Sequence, residues 1–361
     1  MRIGQSPLYP ARALLALGLG AVGAALATGL GLPIPILLGS LLAVGLFAIM
    51  GWQIAGCGPD LPQNLRLWFI PIVGVSIGGA FHPGLITEAR AWWPSILGLA
   101  LYVPLAHWLG YITYRRGGLD KATALFASVP GGLLESLAMG EQAGADLQML
   151  TMLQFLRLIG CIVLVPLSFW LLTGQSVGSA AGTVMVGTGG PFTVWDVAVL
   201  LGAAALGVAA GRRIGLPGAI ITGPVLASGL AHLTGLTGAV PPQALIQITQ
   251  LIVGTSLGCR FAGMPSGALP KALGLAAVSV LLTLGLGYAM AAALHGAVGQ
   301  KASTVFLAFA PGGVAEMSLV ALSLHVSVVY VTAHHVLRIV LAVGVAQIAA
   351  RRVLPGPAPP N

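Results

Sequence analysis

Charge is what this chain has least of. Only 7% of its 361 residues are charged, 8 Asp and Glu against 16 Lys and Arg, where a soluble domain carries roughly 25%. So few charges cannot cover a soluble surface of this size, and a soluble globular fold is excluded. Cysteine is scarce too. Cys57, Cys161 and Cys259 stand apart, odd in number and without a Cys-x-x-Cys pair, so neither a disulfide framework nor a zinc site follows. No set of His, Cys and carboxylate residues has ligand spacing, and adjacent His334 and His335 point roughly 100° apart on a helix. No metal, no other cofactor and no catalytic constellation are therefore expected, and the chain is not expected to be an enzyme.

What is abundant is apolar length. Hydrophobic residues make up 57% of the chain, in segments of about 20 residues, enough to cross a bilayer as helices. The expected fold is an all-α polytopic membrane protein of about 10–12 transmembrane helices, with the lipid bilayer as its first partner. The net charge of +8 gathers at segment ends, as Arg115-Arg116, Arg212-Arg213 and Arg351-Arg352. Snorkelling and topology explain that placement, and no direct nucleic acid binding is expected. The N-terminal run resembles a signal peptide but continues into further spans, so it reads as a retained first helix.

The segments recur. Gly31-Leu32-Pro33 with Gly39 returns as Gly215-Leu216-Pro217 with Gly223, a separation of 215 − 31 = 184. Pro62-Gln63 returns as Pro242-Gln243, and Gly74, Ser76, Gly78 and Phe81 return as Gly254, Ser256, Gly258 and Phe261, at 180. Pro130-Gly131-Gly132 with Glu135 returns as Pro311-Gly312-Gly313 with Glu316, and Thr151 and Arg157 as Thr332 and Arg338, all at 181. Matches in one order at nearly one spacing predict a tandem duplication: a first membrane repeat over 11–172, a Gly/Ser/Thr-rich linker over 173–193, a second repeat over 194–352 and a disordered tail over 353–361. Six spans per repeat would make the repeats parallel and five would invert them. Basic residues argue both ways, and the reading here leans to inversion because two broken helices can then face each other at the midplane.

The chemistry-bearing residues concentrate at the repeated triplets. Proline removes a backbone donor and two glycines weaken a helix further, so Lys121–Ala143 and Lys301–His325 are expected to be interrupted helices. Backbone groups freed at membrane depth must be buried in protein or line a wet cavity. The half-helix starting after each triplet favours an anion at its N–H groups, and the carbonyls before the proline favour a cation or a donor. Glu135 and Glu316 are expected to face protein or a cavity, since a membrane-buried charge costs about 2.5 kcal/mol or more. Thr151, Gln154 and Arg157 step by three along the next helix, and Thr332, His335 and Arg338 repeat them. Two roles stay open for these residues. A Glu–Arg pair fixes packing, or the arginines bind an anion while the glutamates titrate or gate. His335 either changes protonation near neutral pH or donates to a carbonyl. His82, His107, His232, His295 and His325 stand singly and read as interfacial residues near segment ends. Gly74-x-Ser76-x-Gly78 and its copy read as close-packing positions.

The Gly-Leu-Pro segments at 31–39 and 215–223, the doubled Pro-Gly-Gly-…-Glu motif and the Thr-…-Arg helices resemble the AbrB family of bacterial integral membrane proteins, over about residues 11–352. The resemblance implies a multi-pass protein of the bacterial inner (plasma) membrane with a family-level duplication. The family carries the labels regulation of gene expression and ammonia monooxygenase; the missing metal constellation speaks against the second. One departure is Pro224 after Gly223, where the first half has Ser40. At the level of fold the arrangement is also similar to antiporters and bile-acid-type symporters, an analogy that carries no substrate. The expected function is a secondary transporter or exporter of a small anionic or amphipathic solute, coupled to protons, with the two triplets, Glu135, Glu316, Thr151, Gln154, Arg157, Thr332, His335 and Arg338 as its site. The alternative is a membrane-embedded regulator or sensor acting through a partner protein. Oligomeric state, a homo-oligomer included, stays open.

Overall fold

The computed structural model describes residues 10–54, 58–173, 193–262, 264 and 267–354. The expected linker falls outside them from 174 to 192, and the expected tail from 355 onward. The described residues form helices and no strands. The first half holds α1 (Pro10–Gly29), α2 (Pro35–Ile49), α3 (Gln63–Gly78), α4 (Leu85–Arg90), α5 (Trp93–Arg116), α6 (Lys121–Ala127), α7 (Leu133–Gln142) and α8 (Leu147–Thr173). The second holds α9 (Val194–Arg213), α10 (Ala219–Leu233), α11 (Gln243–Cys259), α12 (Leu269–Leu294), α13 (Ala302–Phe309), α14 (Val314–Ser323) and α15 (Val328–Val353).

Six of these, α1, α5, α8, α9, α12 and α15, are long and apolar enough to cross a membrane. Shorter apolar helices, among them α2, α10 and α14, accompany them. Among the described residues α2 and α10, at 15 residues each, fall short of the length of those six. Leu26, Trp68, Leu101, Leu201 and Leu281 are all more than half exposed. An apolar surface of that kind suits lipid and not water.

Local chemistry sets the helix ends. Asp120 caps α6 by accepting the Thr123 N–H at 2.8 Å. Asp146 does the same for α8 with the N–H groups of Gln148 and Met149, both at 3.0 Å. Thr193 and Asp196 form a capping box at the start of α9. At the other ends, Arg115-Arg116, Arg212-Arg213 and Arg351-Arg352 occupy the last turns of α5, α9 and α15. There a cation meets the negative end of the helix dipole.

The helices gather into two compact units, each drawing on both halves of the sequence. One contains α1, α2, α3, α9, α10 and α11. Within it α1 and α2 pack on each other and on α11, while α9 and α10 pack on each other and on α3. Glycine makes these approaches possible. A methyl group on Gly23 would collide with the Gly39 carbonyl, and one on Gly223 with the Gly207 carbonyl. Gly74 faces the Ile221 carbonyl, where a methyl would lie at 2.6 Å, and Gly254 faces that of Leu37 at 2.5 Å. Ser228 then donates to the Val75 carbonyl at 2.8 Å. The repeated small residues of α3 and α11 thus serve backbone contact between helices.

The other unit contains α4 to α7, α12, α13, α15, most of α8 and the start of α14. In it α5 packs against α12 and α15, and α13 packs against α12 and α15. The Tyr102 hydroxyl of α5 donates to the Thr283 carbonyl of α12 at 3.3 Å. Both repeated triplets lie in this unit.

Candidate functional site

Between α6 and α7 the chain runs through Ser128–Gly132. Pro130 has no N–H, Gly131 adopts φ 150° with its N–H on the Val129 carbonyl at 2.9 Å, and Gly132 is the left-handed N-cap of α7 at φ 67°. The stretch between α13 and α14 has the same plan: the Gly312 N–H bonds the Ala310 carbonyl at 2.9 Å, and the helix resumes at Val314. Each interruption strands the carbonyls ending one helix and the N–H groups beginning the next.

The stranded carbonyls are taken by the following long helix. Gln154 of α8 donates to the Phe126 carbonyl at 2.7 Å, and Arg157 donates to Val129 and, at 3.4 Å, to Ala127. Arg157 also donates to the Gln154 side-chain oxygen at 2.6 Å. On α15, His335 bonds the Leu307 carbonyl at 3.0 Å, and Arg338 donates to the carbonyls of Ala310 and Gly312. A guanidinium only donates, so the His335 Nδ1, 3.0 Å from Arg338, is an acceptor. The His335 Nε2 therefore carries the proton and donates to Leu307, which makes the ring neutral. In both places each donor lies 28 residues beyond its main acceptor.

Of the two roles considered for His335, the structure has the carbonyl donor. Hydrogen bonds of the two arginines run to backbone carbonyls and to the polar residue one turn earlier. A planar guanidinium fork suits helix-end carbonyls that have lost their own N–H partners. Arg338 is 1% exposed and Arg157 7%. Each keeps a buried Nε–H without a hydrogen-bond partner. Both arginines lie in the same compact unit.

The glutamates sit at the opposite ends of the gaps. Glu135 and Glu316 lie in the first turns of α7 and α14, where a negative charge is favoured by the helix dipole. Their surroundings differ. Glu316 is 2% exposed and folds back over Gly313, its carboxyl carbon 3.0 Å from where a methyl on that glycine would be. Glu135 is exposed, with one carboxylate oxygen 3.1 Å from a methyl placed on Gly132. The triplet glycines give these carboxylates room.

The expected threonines divide. Thr151 is exposed, its hydroxyl bonded to the Leu147 carbonyl at 2.6 Å, while Thr332 is buried. The step of three thus holds for Gln154 and Arg157 but does not carry Thr151 to the gap. His107, expected near an interface, is buried within α5 and meets the Leu125 carbonyl at 3.0 Å. Sequence reasoning also passed over His334, which joins Ser95 at 2.8 Å and stacks on Tyr330 at 4.0 Å, with Trp92 edge-on to Tyr330. Among the described residues no three His, Cys, Asp or Glu side chains are grouped to hold a metal ion.

Comparison with known proteins agrees with the sequence resemblance. Residues 36–354 match the family described as transition state regulatory protein AbrB. A Bacillus subtilis (strain 168) protein named "Uncharacterized protein YhjN" is 23% identical over 346 residues, covering 91% of this chain and 89% of its own. An Escherichia coli (strain K12) protein named "Putative regulator AbrB" is 25% identical over 318 residues, covering 85% and 86%. With the family match spanning nearly the whole helical assembly, the chain belongs to the AbrB family.

Proposed function

We propose that this protein is a secondary transporter of a small anionic or amphipathic solute in the bacterial inner membrane, proton-coupled, and not an enzyme. The observation that carries the reading is the buried guanidinium set against each helix gap. Two buried guanidiniums, each with an unused Nε–H, share a unit with the N-terminal ends of α7 and α14. In a low-dielectric interior such groups attract an anion strongly. The identical bonding plan at positions 181 apart supports two copies of one repeat, and inverted copies would bring their gaps together near the midplane. Glu135 and Glu316 are the carboxylates available to exchange protons.

The test is flux of radiolabelled small carboxylates into proteoliposomes under an imposed pH gradient. Uptake that collapses with a protonophore and falls in Glu135→Gln and Glu316→Gln supports the reading; no flux for any anion over empty liposomes sinks it. A second reading, a membrane-embedded regulator acting through a partner, draws on the family description and on the name of the Escherichia coli relative. It forecasts ligand binding without flux.

A further inference from the structure

The two gaps are built alike but are not in the same state. At the second, Arg338 holds the Gly312 carbonyl as well as that of Ala310, and the buried Glu316 carboxylate lies over Gly313. That gap already contains a carboxylate. At the first, the hydrogen bonds of Arg157 stop at Val129, Gly131 and Gly132 both have positive φ, and Glu135 is exposed.

A second feature distinguishes the first gap. The unpartnered Nε of the buried Arg338 lies 3.7 Å from the point where a methyl on Gly131 would be. Gly131 immediately precedes the N-cap of α7, a helix of 10 residues. A buried cationic N–H donor and the free N–H groups of a helix start thus converge on one glycine pair. Beside them lie apolar groups: methyls of Val343 and Ile339 are 3.3 and 3.6 Å from the corresponding point on Gly132.

We infer that the Gly131–Gly132 gap is the open anion site of the pair, that it takes the carboxylate head of an amphipathic monocarboxylate, and that Glu135 competes with that head. The glutamate at the second gap is the template for the ligand. It shows that a carboxylate fits against the paired glycine, Gly313, at the start of α14. Val343 and Ile339 favour an apolar tail on the ligand, and the single free donor of Arg338 favours one negative charge over two. The inference rests on the transport reading only for the arrival of a solute; binding is measurable without flux.

The probe is benzoate, with benzylammonium as its cationic counterpart and chloride as the salt control. Equilibrium dialysis of radiolabelled benzoate against the full-length protein in detergent gives affinity and stoichiometry. Wild type is expected to bind one benzoate. Glu135→Gln removes the competing charge and tightens binding by at least about tenfold, since like charges a few ångströms apart repel strongly at protein dielectric. Glu141→Gln removes the same charge from the exposed far end of α7 and leaves the affinity within a factor of about two, as expected for a screened surface charge.

Four outcomes overturn the inference: no benzoate binding in wild type and Glu135→Gln alike, preference for benzylammonium, unchanged or weaker binding in Glu135→Gln, or equal tightening in Glu141→Gln. Flux separates the two claims. Benzoate binding with this pattern but no carboxylate flux leaves the site standing and removes the transport reading. Carboxylate flux indifferent to Glu135, with no such binding, does the reverse.

Discussion

Replacing Arg338 by lysine or by glutamine separates the two jobs its guanidinium performs. Its fork serves the carbonyls of Ala310 and Gly312 and the Nδ1 of His335 from a position 1% exposed. Arg338→Gln discards the charge and its desolvation cost but keeps one amide donor, so one carbonyl is re-bonded and another left bare. A bare buried acceptor costs about 1–3 kcal/mol. Arg338→Lys keeps a charge in the same dry place, in the more strongly hydrated ammonium form, and cannot span two carbonyls as a fork does. The loss should then approach the roughly 3–5 kcal/mol seen when a buried charge loses its partners. Melting of the purified protein in detergent should rank wild type above glutamine and glutamine above lysine. Anion binding should rank differently, with lysine above glutamine, because only the former keeps the charge. If lysine melts at or above glutamine, the carbonyl-bonding role assigned to Arg338 is wrong.

Close helix contact gives a sharper pair of substitutions. Gly223→Ala drives a methyl into the Gly207 carbonyl and should destabilise by about 1–3 kcal/mol, whereas Gly202→Ala on the same α9–α10 pair meets nothing within 4 Å and should be neutral or gain up to about 1 kcal/mol of helix propensity; equal melting temperatures for the two would contradict the packing. At Asp120, partial burial pushes the carboxyl up, but hydrogen bonds from the Thr123 hydroxyl and N–H outweigh it and hold it below the usual range. A depressed carboxyl stabilises the folded state above its unfolded pKa of about 3.9 and loses that effect as pH falls through the lower folded value. Wild type should therefore converge on Asp120→Ala in melting temperature below about pH 4, after exceeding it by the ~1 kcal/mol of an N-cap at neutral pH. A constant gap across that range would exclude the cap as the cause.

The helices and their ends were readable because the signals are local. The Arg pairs expected at segment ends do close α5, α9 and α15, and the recurring Pro62 and Pro242 prove to be the N-caps of α3 and α11. Both halves of the gap chemistry were readable separately, as carbonyls in want of a donor and as arginines in want of a partner. That they meet was not. Val129 and Arg157 are 28 residues apart, and only the approach of α8 to the end of α6 joins them. Exposure of Glu135 and burial of Glu316 were equally out of reach, since the two sit in matching sequence and differ in their surroundings. Nor could the recurring motifs reveal that α2 packs on α11 and α10 on α3, because segments with similar small residues offer similar faces to either partner.

That exchange of partners has a consequence for synthesis. Helix α2 ends at Ile49 and its packing partner α11 ends at Cys259, 259 − 49 = 210 residues later. At a ribosome rate of about 5–20 residues per second, the interval is roughly 10–40 s. Through that time the Leu37 carbonyl and the small residues around Ser40 have no α11 against them. On its synthesis α11 must take α2 and not α10, which follows a matching Gly-Leu-Pro segment. Discrimination between the two falls to the few places where they differ, such as Ser40 against Pro224.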